Sequence, residues 1–133
     1  MKSINKKNIE FLNNKNIKNI EKLLKIMSYL RDPENGCAWD REQSFESIAP
    51  YTVEEAYEVV QAIQDGDFEG LKDELGDLLL QVVFLSQLAN EKNLFNFEDV
   101  VHSIKEKLIR RHPHIFDDKN KKILNTPEDV KNQ

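Results

Sequence analysis

VEEAYEVVQAIQDGDFEGLKDELGDLLLQVVFL, Val53 to Leu85, sets carboxylates inside two segments that otherwise read as core helices. Glu54, Glu55 and Glu58 share the first segment with Val53, Ala56, Val59, Val60 and Ile63. Glu74 and Asp77 open the second, which is then uncharged as far as Glu91 and reads as buried on most sides. Asp65-Gly66-Asp67 supplies a turn between them. Positions i and i+3 share a helix face, so Glu55 pairs with Glu58, and Glu74 with Asp77. Glu58 lies eight positions before Gly66 and Glu74 eight after it, so an antiparallel hairpin sets them at matching height. Acidic pairs of this spacing also arise by chance on solvated faces. Here the shared height and the apolar context favour a site. Four converging carboxylates repel one another unless a cation joins them. An all-oxygen cluster suits a hard divalent ion such as Mg²⁺, with Mn²⁺ as a substitute.

Working outward, Ile17, Ile20, Leu23, Leu24, Met27 and Leu30 follow helical spacing, and Pro33 and Gly36 end that helix near Arg31. Residues 32–43 read as a loop around the single tryptophan, Trp39. Ser44 is expected to cap a short turn that Pro50 ends, and Thr52 with Glu55 to form a capping box for a helix running to about Gln64. The next helix is expected from Phe68 to about Lys92. Gly76 inside it costs about 1 kcal/mol against Ala, which suggests a close helix contact or ligand approach there. Asn96 then caps a last helix that Pro113 stops. No segment shows the strand period. The expected architecture is all-α and four-helix bundle-like, with two long central helices. It comprises a polar extension over 1–15, one helical domain over 16–117 and a charged tail over 118–133. The Phe68–Lys92 helix is apolar over more faces than one small bundle covers, so a homodimer is expected.

The bulk composition narrows the function classes. At 133 residues the chain is one domain by size. The net charge of −5 hides an asymmetry: residues 31–100 carry 4 basic and 17 acidic residues, a net of −13, between basic ends. Such a middle is a poor nucleic-acid surface, because phosphate backbones need a continuous basic patch. No apolar run reaches membrane-spanning length, and no secretory leader is visible. One cysteine, Cys37, excludes an internal disulfide framework and fits a reducing cytoplasm.

Glu54-Glu55-Ala56-Tyr57-Glu58 followed by Glu74-Leu75-Gly76-Asp77 resembles the E-E-x-x-E … E-x-x-D signature of MazG-type nucleoside triphosphate pyrophosphohydrolases. Leu30-Arg31-Asp32-Pro33, Cys37-Ala38-Trp39-Asp40, Gln43-Ser44, ELGDLLLQVVF over 74–84 and RRHPHIF over 110–116 extend the resemblance to residues 20–117. Ala38 stands where the family leads one to expect Pro, and Asp117 where it leads one to expect Gly; both concern loop shape. Many family members carry two such units in tandem, and this chain shows one. The resemblance implies hydrolysis of a nucleoside triphosphate between the α- and β-phosphates, giving nucleoside monophosphate and pyrophosphate. It implies Mg²⁺ held by Glu55, Glu58, Glu74 and Asp77. Glu54 faces about 100° away from Glu55, and is open to two roles: a catalytic residue that orients water or a second cation, or a solvated helix position.

Other candidates each have a structural alternative. Trp39 can stack on a nucleobase or plug the end of the bundle. Lys107, Arg110 and Arg111 can bind phosphate, or complement the dipole of the last helix. His112 and His114 are explained by a helix-ending turn, and with no Glu-x-x-His pair in the chain a ferritin-like di-iron site is excluded. Two competing functions stand beside the hydrolase: a non-catalytic helical module binding a nucleotide or protein partner, and a sister all-α pyrophosphatase for dUTP or modified dNTPs.

Overall fold

Every element of the computed structural model is a helix among the described residues, 6–117 and 126–131. The first five residues of the polar extension, and residues 118–125 of the expected tail, lie outside them. In chain order the helices are α1 (Lys6–Asn13), α2 (Asn19–Leu30), α3 (Ala38–Arg41), α4 (Phe45–Gln64), α5 (Phe68–Glu91), α6 (Phe97–Arg111), α7 (Pro113–Phe116) and α8 (Pro127–Lys131). They divide into two compact units, Met1–Phe97 and Glu98–Gln133, each with its own packing.

In the first unit α4 and α5 form a hairpin, and α2 packs on α5. The turn follows from three residues. Gly66 takes φ +67°, a left-handed conformation that favours glycine. Its N–H donates to the Ile63 carbonyl (3.1 Å), and that of Asp67 donates to the Ala62 carbonyl (3.0 Å), closing α4 in a Schellman motif. Asp67 then caps α5, its Oδ1 accepting from the Gly70 N–H at 2.9 Å. Asn93, φ 57°, ends α5 in the same way. The core gathers Met27 of α2, Ile48 of α4, and Val83, Phe84 and Leu88 of α5. Full burial of side chains of this size stabilises by about 1.5–3 kcal/mol each.

The structure corrects four expectations. Pro50 does not end a helix: α4 runs through it as one element of 20 residues. The capping box is Ser44 with Ser47, not Thr52 with Glu55. Pro50 forfeits one backbone bond, and the 2% exposure of Ile48 in the core shows why the helix forms regardless. Gly76 makes no close helix contact, since a Cβ there would meet nothing within 4 Å. Finally, α5 is buried only in its second half; Phe68, Leu75 and Leu79 are exposed.

Arg31, the C-cap of α2, ties the 37–43 segment to the end of α5. Its Nη1 donates to the carbonyls of Asp40 (2.6 Å), Arg41 (3.0 Å) and Gln43 (3.2 Å). Its Nε and Nη2 grip both oxygens of Glu91, at 3.0 and 2.6 Å. These hydrogen bonds hold the Glu91 carboxyl below the usual range, although partial burial opposes them. Short α3, which carries Trp39, is held in place by this clasp rather than lying in an open loop.

Candidate metal centre on the helical hairpin

Glu55 of α4 and Glu74 and Asp77 of α5 each turn one carboxylate oxygen into a common space, all within 4.8 Å of one another. The hairpin register explains the grouping. Glu55 and Asp77 each lie eleven positions from Gly66 and share a height, while Glu74 lies one turn nearer. Glu55 Oε2 is buried and has no hydrogen-bond partner among the described residues. Burial pushes the Glu55 pKa up, and the negative charges of Asp77 and then Glu74 push it further. Three hard oxygen donors at this spacing fit a small divalent cation. Glu58 is exposed and lies outside this three-carboxylate group. Glu54 is exposed too, and its charge adds to the upward shift of Glu55.

A stability prediction follows from the sign of that shift. The folded state binds the Glu55 proton more tightly than the unfolded chain does. Ionised Glu55 therefore destabilises the metal-free fold, the penalty growing as pH rises from the ordinary value of 4.5 through the raised one and holding constant above it. Glu55→Gln is expected to raise the melting temperature at pH 7 in EDTA, with the advantage vanishing below about pH 4.5. Saturating Mg²⁺ is expected to reverse the order: a ligand at a hundred times its Kd stabilises by about 2.7 kcal/mol, and the variant gains little of it. Thermal melts across pH, with and without Mg²⁺, check both.

Trp39 is 51% exposed yet anchored, edge-on against Tyr51 (centroids 5.9 Å apart) and Phe84 (6.5 Å). Lys107, half-buried, and Arg110 and Arg111, both exposed, lie on α6, whose last turn is basic. His114 is buried on α7, its ring 5.5 Å from that of His112. Two residues that sequence spacing did not single out stand beside the site. Tyr51 supports Trp39, and Gln81 is a buried polar side chain one turn past Asp77. The only signal for Gln81 was a glutamine interrupting an apolar run.

A carboxylate cluster of this kind, shared by the two helices of a hairpin in an all-α domain and partly exposed at Asp77, is a candidate cation site. Residues 43–116 match the family model of the MazG nucleotide pyrophosphohydrolase domain, and the chain belongs to that family. It is 60% identical over 99 residues to the nucleoside triphosphate pyrophosphohydrolase of Escherichia coli strain K12, covering 74% of this chain and 38% of that protein. It is 50% identical over 113 residues to the nucleoside triphosphate pyrophosphohydrolase/pyrophosphatase MazG of Thermotoga maritima, covering 85% of this chain and 44% of that one. The chain thus spans about two-fifths of the length of these curated relatives. Among solved structures it is similar to the mazG-related protein of Thermotoga maritima, with TM-score 0.67 and 25% identity over 84% of this chain and 92% of that one.

Proposed function

We propose that this chain hydrolyses nucleoside triphosphates to nucleoside monophosphate and pyrophosphate, using Mg²⁺ with Mn²⁺ as a substitute. The observation that carries this is the convergence of Glu55, Glu74 and Asp77, in a family whose curated relatives are named for that reaction. Those three residues would hold the cation, with Glu58 as a fourth carboxylate one turn along α4. When bound, a divalent cation neutralises phosphate charge and helps activate water. Glu54, exposed beside Glu55, would orient the attacking water or a second cation. Trp39 would offer an aromatic face to the base, and the resemblance over residues 20–117 leads us to assign phosphate binding to Lys107, Arg110 and Arg111.

Assembly as a homodimer is part of the proposal. Val53, Tyr57, Val60 and Ile63 of α4, with Phe68, Leu75 and Leu79 of α5, are exposed apolar side chains that a second copy would cover. No described helix is long and apolar enough to cross a membrane. We place the protein in the cytoplasm, acting on free nucleotides rather than nucleic acid. The test is product analysis with purified protein, Mg²⁺ and a panel of canonical and modified (d)NTPs. Monophosphate and pyrophosphate in equal amounts, abolished by EDTA, are the expected products. Release of inorganic phosphate and a nucleoside diphosphate would contradict the proposal, as would turnover unaffected by EDTA.

A further inference from the structure

We propose that Gln81 recognises the nucleoside part of the bound triphosphate, its Oε1 accepting a hydrogen bond from the sugar or the base. This rests on the pyrophosphohydrolase reading above. Gln81 is only 9% exposed, and its Oε1 is buried with no hydrogen-bond partner among the described residues. Leaving such an acceptor unmet costs about 1–3 kcal/mol, so a donor from outside the chain is the natural complement.

The position of Gln81 indicates which donor. At 3.6 residues per turn, positions 74, 77 and 81 fall within about 60° of one face of α5. Gln81 therefore shares the carboxylate face, one turn farther from Gly66 than Asp77. Tyr51 and Gln81 each lie fifteen positions from Gly66, which sets them at one height on the hairpin. Trp39 meets Tyr51 and Phe84 edge-on there, and both Trp39 and Tyr51 keep a large exposed surface, 51% and 42%. Away from the turn the hairpin thus offers carboxylates, and then a buried acceptor level with half-exposed aromatic rings.

A nucleoside triphosphate complexed with a cation carries its groups in the same order. Its ionised phosphates present acceptors, which cannot satisfy Oε1. Its first donors are sugar hydroxyls, followed by N–H groups of the base, whose π-face suits an aromatic ring. A site that hydrogen-bonds a substrate O–H or N–H discriminates strongly against analogues lacking it, because its own polar group is then stranded. Gln81 is in this account a specificity residue, separate from the carboxylates that hold the cation.

Binding measurements on the full chain separate this inference from the reading beneath it. Wild type and Gln81→Met are titrated calorimetrically in Mg²⁺ with non-hydrolysable α,β-imido ribo- and deoxyribonucleotides of several bases, and with inorganic tripolyphosphate. Methionine keeps the length and removes the acceptor; Gln81→Leu is the second variant if the first does not fold. The variant is expected to lose tenfold or more in affinity for at least one nucleotide, while tripolyphosphate affinity stays within twofold. Collapse of ribo-over-deoxy preference identifies a sugar hydroxyl as the donor, and collapse of base preference identifies the base. Unchanged nucleotide affinity overturns the inference, and so does an equal loss for tripolyphosphate, which would put Gln81 at the phosphates. In both cases the pyrophosphohydrolase reading stands. Wild type that binds neither ligand overturns both.

Discussion

Asp77→Asn is expected to lower kcat/KM by at least about 100-fold for every nucleoside triphosphate that the wild type turns over. Residues that merely orient metal ligands typically cost about 10–100-fold when changed, and a direct ligand should cost no less. The exchange keeps the side-chain shape and removes one negative charge from the three-carboxylate group. It also relieves repulsion on Glu55, where Asp77 is the leading charge. The metal-free variant should therefore melt at or above the wild-type temperature. That pairing of lost activity with retained stability distinguishes a cation ligand from a structural residue. Steady-state kinetics in excess Mg²⁺ and thermal melts in EDTA check it. Near-wild-type turnover would remove Asp77 from the proposed ligands. The same exchange at Glu58, which lies outside the close group, tests whether a fourth carboxylate joins the cation.

Arg31→Ala is the substitution expected to cost most stability. The Arg31 side chain is 11% exposed, and its fork satisfies Glu91 and three backbone carbonyls at once. Removing one partner of a buried ion pair costs about 3–5 kcal/mol. Because the Glu91 side chain is 33% exposed, water recovers part of that, and about 2–4 kcal/mol is expected. Arg31→Lys should recover little, since an ammonium cannot reproduce the planar fork. Urea denaturation measures the difference, and a loss under about 1 kcal/mol would reduce the clasp to an ordinary surface pair. The pH dependence has a fixed sign. The Glu91 pKa is lowered in the fold, so its contribution is present above the ordinary 4.5 and lost as pH falls through the lowered value. The gap between wild type and Arg31→Ala should narrow accordingly on acidification.

The hairpin was legible in the sequence because its signals are local and agree with one another. Asp65-Gly66-Asp67 encodes both a left-handed helix end and the next cap, and the bounds of α5 follow to within a residue. Pro50 misled because its penalty is local, whereas the burial of Ile48 that outweighs it comes from packing against α2 and α5. The acidic site was legible as a set of facing carboxylates. Spacing alone paired Glu58 with Glu74, while the packed hairpin brings Glu55 to Glu74 and Asp77. Burial separates these positions: Glu55 is partly enclosed and Glu58 is exposed. Gln81, Tyr51 and the Arg31–Glu91 clasp depend on contacts or burial that no periodicity encodes; Arg31 and Glu91 stand 60 positions apart.

The central claim is that Glu55, Glu74 and Asp77 together hold a divalent cation, and a crystal of the full chain grown with Mn²⁺ tests it most directly. The account predicts an anomalous difference peak within ligation distance of all three carboxylates, with Glu55 Oε2 among its ligands. A peak held elsewhere, or none at saturating Mn²⁺ with the three carboxylates ordered, would contradict it.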